Sequence, residues 1–152
     1  MSDIITREIE IPSDVDGFVL LQCPKCGEFF KLIPSEMEAE DVISIYCPFC
    51  GLVSEDYYTD DVITLANKIA KNIGTDLIND FLKDLETSFK NGPITFKSNT
   101  KIEKETETPI VSGIEAMVVQ KYKCCKREAK IHPIVKISGS FCPYCGVRYD
   151  EY

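Results

Sequence analysis

Eight cysteines are the residues of this sequence whose type and spacing could do chemistry. Cys23 and Cys26, and then Cys47 and Cys50, form two Cys-x-x-Cys pairs separated by twenty residues. A Cys-x-x-Cys pair lets one tight turn direct two sulfur atoms at one point, and the glycine after each pair frees the backbone for that turn. Two such turns predict a tetrahedral four-sulfur site for zinc or for a single iron.

A second group of cysteines near the C-terminal end repeats part of this pattern. Cys142 and Cys145 form another Cys-x-x-Cys pair, whereas Cys124 and Cys125 are adjacent. Either both adjacent cysteines bind a metal with that pair, or one of them joins the pair and His132 in a site of three cysteines and one histidine. A weak or empty second site is the third alternative. Adjacent cysteine side chains diverge, so the first alternative requires a distorted turn.

The two cysteine groups lie in stretches that resemble each other. Residues 45–53 match residues 140–148, and residues 26–34 match residues 125–133 with the same spacing. This similarity predicts an internal repeat in which the Cys-x-x-Cys turn is shortened to adjacent cysteines in the second copy. The only histidine of the chain then lies opposite a strand position, which favours a packed or exposed side chain over a metal ligand.

Short strands are predicted around each cysteine turn because β-branched and aromatic residues cluster there. They alternate with turn residues such as Pro, Asp and Gly, which give strand–turn–strand units. The predicted strands cover residues 4–11, 18–21, 29–33, 42–46 and 117–123.

A long amphipathic helix is predicted between the two cysteine groups, over residues 60–90. Apolar residues recur there at spacings of three and four, and the sequence Asn-Gly-Pro follows as a stop signal. Gly74 marks a bend or a break, because glycine costs ~1 kcal/mol relative to alanine inside a helix. The apolar stripe either packs on the cysteine-rich parts or pairs with a partner helix or a second copy, as a homodimer. A strand at 94–96 and a mobile loop at 98–109 follow.

Charge is unevenly distributed along the 152 residues. The net charge is −8, of which residues 1–65 carry −11 and residues 66–152 carry +3. An acidic surface repels phosphate backbones, so any nucleic acid is expected at the C-terminal end. Basic residues near the second cysteine group either offset the charge of its thiolates or form a face for phosphates. They are Lys121, Lys123, Lys126, Arg127, Lys130 and Lys136.

The sequence shows no signal peptide and no apolar run long enough to span a bilayer. We therefore expect a cytoplasmic protein without membrane association, in which cysteines stay reduced and bind metal rather than form disulfides. No nucleophile–base pair, carboxylate dyad or glycine-rich phosphate loop is present, and one histidine limits acid–base chemistry. We expect no enzyme activity.

Cys-x-x-Cys-Gly followed by Cys-Pro-x-Cys-Gly resembles the rubredoxin-like zinc-ribbon superfamily. The resemblance covers about residues 18–58 and, less well, residues 117–152. It implies either of two functions: rubredoxins hold one iron and carry electrons, whereas zinc ribbons use the same site as a scaffold for binding protein or nucleic acid. Two sites and a long helix favour zinc.

Together these patterns predict an α+β protein in which two small β zinc ribbons are joined by a long amphipathic helix and a short β segment. The expected function is a non-catalytic zinc-binding adaptor, with two structural Zn²⁺, that binds a protein partner in a larger assembly. The alternatives are nucleic-acid binding by the C-terminal ribbon and electron transfer by iron in the first site. The expected parts are an N-terminal ribbon at 1–59, the helix at 60–92, short strands and a charged loop at 93–116, and a diverged ribbon at 117–152.

Overall fold

A computed structural model of the chain describes residues 6–89, 92–93, 102–110 and 116–150. Its contacts divide the chain into two compact units, which we call the helical unit and the cysteine unit. The helical unit comprises Met1–Ile9 and Asp61–Pro109, and the cysteine unit comprises Glu10–Asp60 and Ile110–Tyr152. Both cysteine groups therefore belong to one unit.

Helices and short antiparallel strands together give an α+β fold, which confirms the predicted class. Among the described residues, no helix is long and apolar enough to cross a membrane. The helices are α1 (Pro34–Met37), α2 (Asp60–Phe89) and α3 (Pro133–Ser138). The strands are β1 (Val19–Gln22), β2 (Phe29–Leu32), β3 (Val118–Lys121), β4 (Glu128–Ile131), β5 (Ser140–Phe141) and β6 (Arg148–Tyr149).

Strands from both cysteine groups share one antiparallel sheet, in the order β1-β2-β4-β3. The sequence predicted two ribbons separated by a helix, whereas the structure joins their strands through β2 and β4 at the register pair Lys31–Lys130. A two-stranded hairpin is marginally stable on its own, and edge-to-edge pairing gives each hairpin the further strands it needs. The remaining pair, β5 and β6, encloses the Cys142–Cys145 turn.

Two of the predicted strands do not form. Residues 4–5 of the strand predicted at 4–11 lie outside the described residues, and residues 6–11 form no strand; Ser13, beyond them, pairs singly with Val19. Near the second cysteine turn, Tyr46 pairs singly with Val53. Residues 42–45 belong to no strand; Val42 and Ile45 pack against the core, whereas Ile43 is exposed. The strand predicted at residues 94–96 lies outside the described residues.

Helix α2 continues through Gly74 without the predicted break. A spacing of four residues advances about 40° around a helix at each step, so the apolar stripe winds around α2 instead of staying on one face. Val62 and Ile69 are buried as a result, whereas Leu77 and Phe81 are 56% and 60% exposed.

Two asparagines of α2 hold an extended segment, residues 102–107, that sequence analysis assigned to a mobile loop. The Asn72 amide donates to the carbonyl of Glu105 and accepts from its N–H, both at 2.8 Å. Asn79 does the same with Ile102, at 3.0 and 3.2 Å. The two asparagines stand seven residues apart, which is about two turns, so they face the same side of the helix.

Candidate metal centres

The structure brings the eight cysteines into two groups of four. Within each group the four sulfur atoms all lie within 4.8 Å of one another. Two sulfur pairs in the first group are 3.8 and 3.6 Å apart, and one pair in the second is 3.6 Å apart. A tetrahedron of ~2.3 Å Zn–S bonds has sulfur atoms ~3.8 Å apart, so both groups could hold a metal ion and are compatible with zinc. The first group is Cys23, Cys26, Cys47 and Cys50, and the second is Cys124, Cys125, Cys142 and Cys145.

Four backbone turns of equal length position these cysteines. In each turn, the first residue accepts an N–H from the residue four positions on and donates its own N–H to the carbonyl five positions on, at 2.8 to 3.0 Å. The turns begin at Cys23, Cys47, Tyr122 and Cys142. Sequence analysis expected the turn that contains the adjacent cysteines to be shortened, and this expectation is wrong. The turn keeps its length, with a tyrosine at its first position.

Burial opposes ionisation at the cysteines that have no exposed surface. It raises the pKa of the Cys47 and Cys142 thiols well above the usual range. At Cys23 burial acts in the same direction, but hydrogen bonds from the N–H groups of Cys26 and Lys25 outweigh it and lower the pKa. Metal binding requires thiolates, so a metal bound here would displace protons and would be a source of folding free energy.

The two groups differ in their fourth ligand. Three cysteines of each group occupy equivalent positions in their turns, and the fourth sulfur of the first group belongs to the fully buried Cys23. Its place in the second half is taken by Tyr122, also fully buried, whose hydroxyl lies 3.0 Å from Ser140 Oγ. Cys124 supplies the fourth sulfur from the turn position that Lys25 occupies in the first half, and it is exposed.

His132 does not join the second group. Its Nε2 lies 3.3 Å from the Glu28 carboxylate, and the four clustered ligand atoms of the second group are all cysteine sulfurs. Of the alternatives given by the sequence, the structure therefore agrees with the group of four cysteines and not with the group of three cysteines and a histidine.

Several residues of the predicted basic face are paired with acids. Lys130 Nζ lies 2.7 Å from a carboxylate oxygen of both Asp14 and Asp16. Arg127 binds Asp41 through two nitrogens, at 2.7 and 3.0 Å. These pairs reduce the positive charge available to a phosphate. The other members are Lys136, whose Nζ donates to a backbone carbonyl, and the exposed Lys121, Lys123 and Lys126.

Reciprocal contacts join the two halves of the cysteine unit. The Tyr46 N–H donates to the Pro143 carbonyl, and the Phe141 N–H donates to the Pro48 carbonyl, both at 2.8 Å. These residues are equivalent in the alignment of 45–53 with 140–148. Each half thus donates one backbone hydrogen bond to the other half and accepts the equivalent bond from it, as around an approximate two-fold axis.

Each half also inserts an aromatic ring beside a glycine of the other. A Cβ added at Gly51 would lie 3.0 Å from the Phe141 ring, and one at Gly146 would lie 2.8 Å from the Tyr46 ring. Both glycines have positive φ, of 71° and 74°. Glycine is needed at these positions both for the backbone conformation and for the close approach of the ring.

Asp14 neutralises two lysines where the halves meet. Lys31 is 3% exposed and stands opposite Lys130 in the sheet, an arrangement that repels unless a counter-charge is present. The Asp14 carboxylate lies 3.3 Å from the first lysine and 2.7 Å from the second. Burial opposes its ionisation, but hydrogen bonds from Lys130, from the N–H groups of Phe18 and Asp16, and from Lys31 prevail and lower its pKa to about 2.

A groove of about 930 Å³ borders the turn that begins at Cys23 and the residues on either side of the turn that begins at Cys47. Its surface includes the exposed side chains of Ile43 and Tyr58. Two acids, Glu55 and Asp56, also line it. Sequence analysis missed this groove, because its lining comes from separate stretches between residues 21 and 58 that only the fold brings together. The apolar lining further comprises Leu21, Met37, Val42, Ile45, Val53 and Tyr57.

Searches against models of protein families, against curated proteins and against solved structures find no match to this chain at the significance applied. The resemblance to rubredoxin-like zinc ribbons therefore rests on the two four-cysteine groups.

Proposed function

We propose that this chain is a non-catalytic adaptor in which two structural zinc ions support a protein-binding surface. The four cysteines of each group fill every position of a tetrahedral zinc ion and leave none for a substrate or a reactive water. The strands of the cysteine unit are two to four residues long. Such short elements need metal to supplement a small core.

The groove beside the first cysteine group is the observation that carries the binding function. Ile43 is 95% exposed and Tyr58 is 52% exposed at its surface. Large apolar side chains that line a concave surface together mark an interaction site, whereas isolated ones do not.

Charge around the groove indicates the chemistry of the partner. Residues 34–60 contain seven acidic residues and no Lys or Arg. Two of these acids line the groove itself, together with a single Lys25, whose Nζ donates to the Val53 carbonyl. We infer that the groove binds a protein segment with apolar side chains flanked by lysine or arginine, since complementary charge favours the encounter and orients the segment.

The test compares proteins captured from a cell extract by the wild-type chain and by two variants. Ile43→Glu places a charge in the groove, and Ile134→Glu makes the same change at an exposed isoleucine of α3, outside it. A protein retained by the wild type and by I134E, and lost with I43E, is the expected result. Binding of that purified protein should weaken with salt, because exposed charges are screened. A capture profile that is identical for all three chains, or binding that is independent of salt, contradicts the proposal.

Metal removal separates the adaptor from the competing functions. Chelation should unfold the cysteine unit and abolish partner binding together, as expected for structural zinc. A red, redox-active protein as isolated would instead assign electron transfer to the first group. Nucleic-acid binding predicts affinity that falls steeply with salt and on Lys123→Glu with Lys126→Glu, two exposed lysines. The described contacts of Arg127 and Lys130 with acids do not favour it.

A further inference from the structure

One face of α2 is apolar along its length and exposed. Ile63 is 45% exposed at its start, and Leu77 and Phe81 are more than half exposed further along. Residues 63 and 81 lie eighteen positions apart, which is five full turns, so they point to the same side. Two polar residues, Asn67 and Asp84, lie at the edges of this face, because they stand eighteen positions from Leu85 and Ala66. We call it the α2 apolar face; its members are Ile63, Ala66, Ala70, Gly74, Leu77, Phe81 and Leu85.

The other side of α2 is occupied by its own chain. Asn72 and Asn79 hold residues 102–107 there through paired hydrogen bonds. Asn72 is 5% exposed, and Ile69 beside it is buried. Phe81 lies about 120° around the helix from Ile69 and so outside this contact. The α2 apolar face is therefore separate from the surface of α2 that holds residues 102–107.

The order of residue sizes along the α2 apolar face points to what covers it. The first half offers small residues at a spacing of four, namely Ala66, Ala70 and Gly74. The second half offers large ones, Leu77, Phe81 and Leu85. A face that is small at one end and large at the other is complementary to its own antiparallel copy.

We propose that α2 pairs antiparallel with α2 of a second copy of this chain. The pairing sets Ala66 against Leu85, Ala70 against Phe81 and Gly74 against Leu77, each reciprocally, as a two-fold interface requires. Every layer then contains one small and one large side chain, and the small ones let the helices approach closely. A parallel pairing would instead set small against small and leave gaps.

The face is long enough for a weak, specific dimer. It runs over 23 residues, or about 33 Å of helix. A helix pair of that length buries on the order of 1,000 Å² in total, near the lower limit for specific interfaces, so micromolar affinity is expected. Two copies would give an adaptor two grooves. This inference deepens the proposed function but uses residues that the groove does not.

The test uses two variants that fail alone and rescue each other. In Ala70→Lys and in Phe81→Glu, each homodimer contains two buried unpaired charges, which should weaken association more than about 100-fold. Their mixture forms a heterodimer with one Lys–Glu pair and one unchanged Ala70–Phe81 contact. Sedimentation at around 100 µM should therefore show a wild-type dimer, two monomeric variants and a dimer in the equimolar mixture. Lys83→Glu, an exposed residue away from the face, is the control and should remain dimeric.

The remaining outcomes are decisive as well. A wild-type chain that stays monomeric overturns the inference, and so does a mixture that remains monomeric while both variants keep the wild-type helical circular dichroism. Ile43→Glu should leave the dimer intact. If Ile43→Glu abolishes partner capture and the wild-type chain is a dimer, both proposals stand. A dimer whose partner capture survives Ile43→Glu contradicts the groove alone, and a monomer that loses capture with Ile43→Glu contradicts the α2 pairing alone.

Discussion

The two halves of the cysteine unit have the same backbone turns, but their cysteines do not all occupy the same turn positions. In the first half a buried Cys23 opens the first turn, and in the second half Tyr122 does so. The turn keeps its length and hydrogen bonds in both cases. The backbone hydrogen bonds, and not the position of the cysteine, therefore define this turn. The fourth sulfur of a group comes from the first turn position at Cys23 and from the third turn position at Cys124.

The fourth cysteine also differs in solvent exposure between the two groups. The displaced ligand, Cys124, is exposed, whereas Cys23 is fully covered. The hydroxyl of Tyr122 and the Ser140 hydroxyl fill the vacated interior with a hydrogen bond. We expect the first centre to be essential for folding and the second to tolerate the loss of its unusual ligand.

The largest expected effect comes from removing the fourth ligand of each centre. Cys23→Ser leaves a buried hydroxyl that cannot replace the thiolate, so the first zinc is lost and the cysteine unit unfolds, since zinc supplies about 10–16 kcal/mol to small sites. Cys124→Ser should keep a folded unit and a weaker second zinc, with water at the exposed position. Zinc counted by native mass spectrometry, with thermal unfolding, checks this. Equal effects of both variants would remove the distinction between the centres.

The next effect concerns the charge that holds the halves together. Asp14→Asn keeps the oxygen that accepts the turn's N–H groups but leaves Lys31 buried without a counter-charge, which should cost about 3–5 kcal/mol. Asp16→Asn, at an acid that is largely exposed, should cost less than about 1 kcal/mol. Denaturant unfolding at neutral pH measures both. A loss for D14N no larger than for D16N would mean that the junction does not depend on this carboxylate.

The pH dependence of the same pair has a defined sign. The folded pKa of Asp14 is about 2, below the unfolded value of 3.8, so its stabilisation is present above about pH 4 and lost as the pH falls towards 2. The stability difference between wild type and D14N should thus be constant from pH 8 to pH 5. A difference that already shrinks across this interval contradicts the assignment of the charge.

A smaller effect tests the exchange of aromatic rings. Gly146→Ala meets the Tyr46 ring and a positive φ, and should cost about 2–4 kcal/mol. Gly27→Ala has the same backbone conformation but nothing within 4 Å, so it should cost only about 1 kcal/mol. Thermal unfolding of the two variants separates packing from backbone strain, and similar losses would show that the ring contact contributes nothing.

The smallest expected effect is an increase in stability. Lys126 has a φ of 61° at the turn position where the other three turns have glycine. Lys126→Gly should relieve this strain and stabilise the cysteine unit by up to about 1 kcal/mol, partly offset by the greater freedom of glycine in the unfolded chain. A lower unfolding temperature of the variant would show that the turn beginning at Tyr122 is not strained.

The sequence was most informative where the signal is local. Cysteine spacing placed the two groups, and the three-to-four periodicity placed α2 to within one residue of its observed end. Pairing of β2 with β4 was not predictable, because it depends on which edges meet after both hairpins form. The equivalence of Tyr122 and Cys23 was missed because the two halves were aligned on cysteines rather than on turn length. Asn72 stands among the apolar residues of α2, and nothing in the sequence around it predicts its hydrogen bonds to Glu105.

Metal content is the measurement that tests this account most directly. The chain would be purified without added metal and weighed by native mass spectrometry, with its visible spectrum recorded. Two zinc ions per chain and no colour are the predicted result, and chelation should then unfold the cysteine unit. Iron with visible absorption, or a chain that stays folded with no metal bound, would contradict the claim that two closed zinc centres hold this protein together.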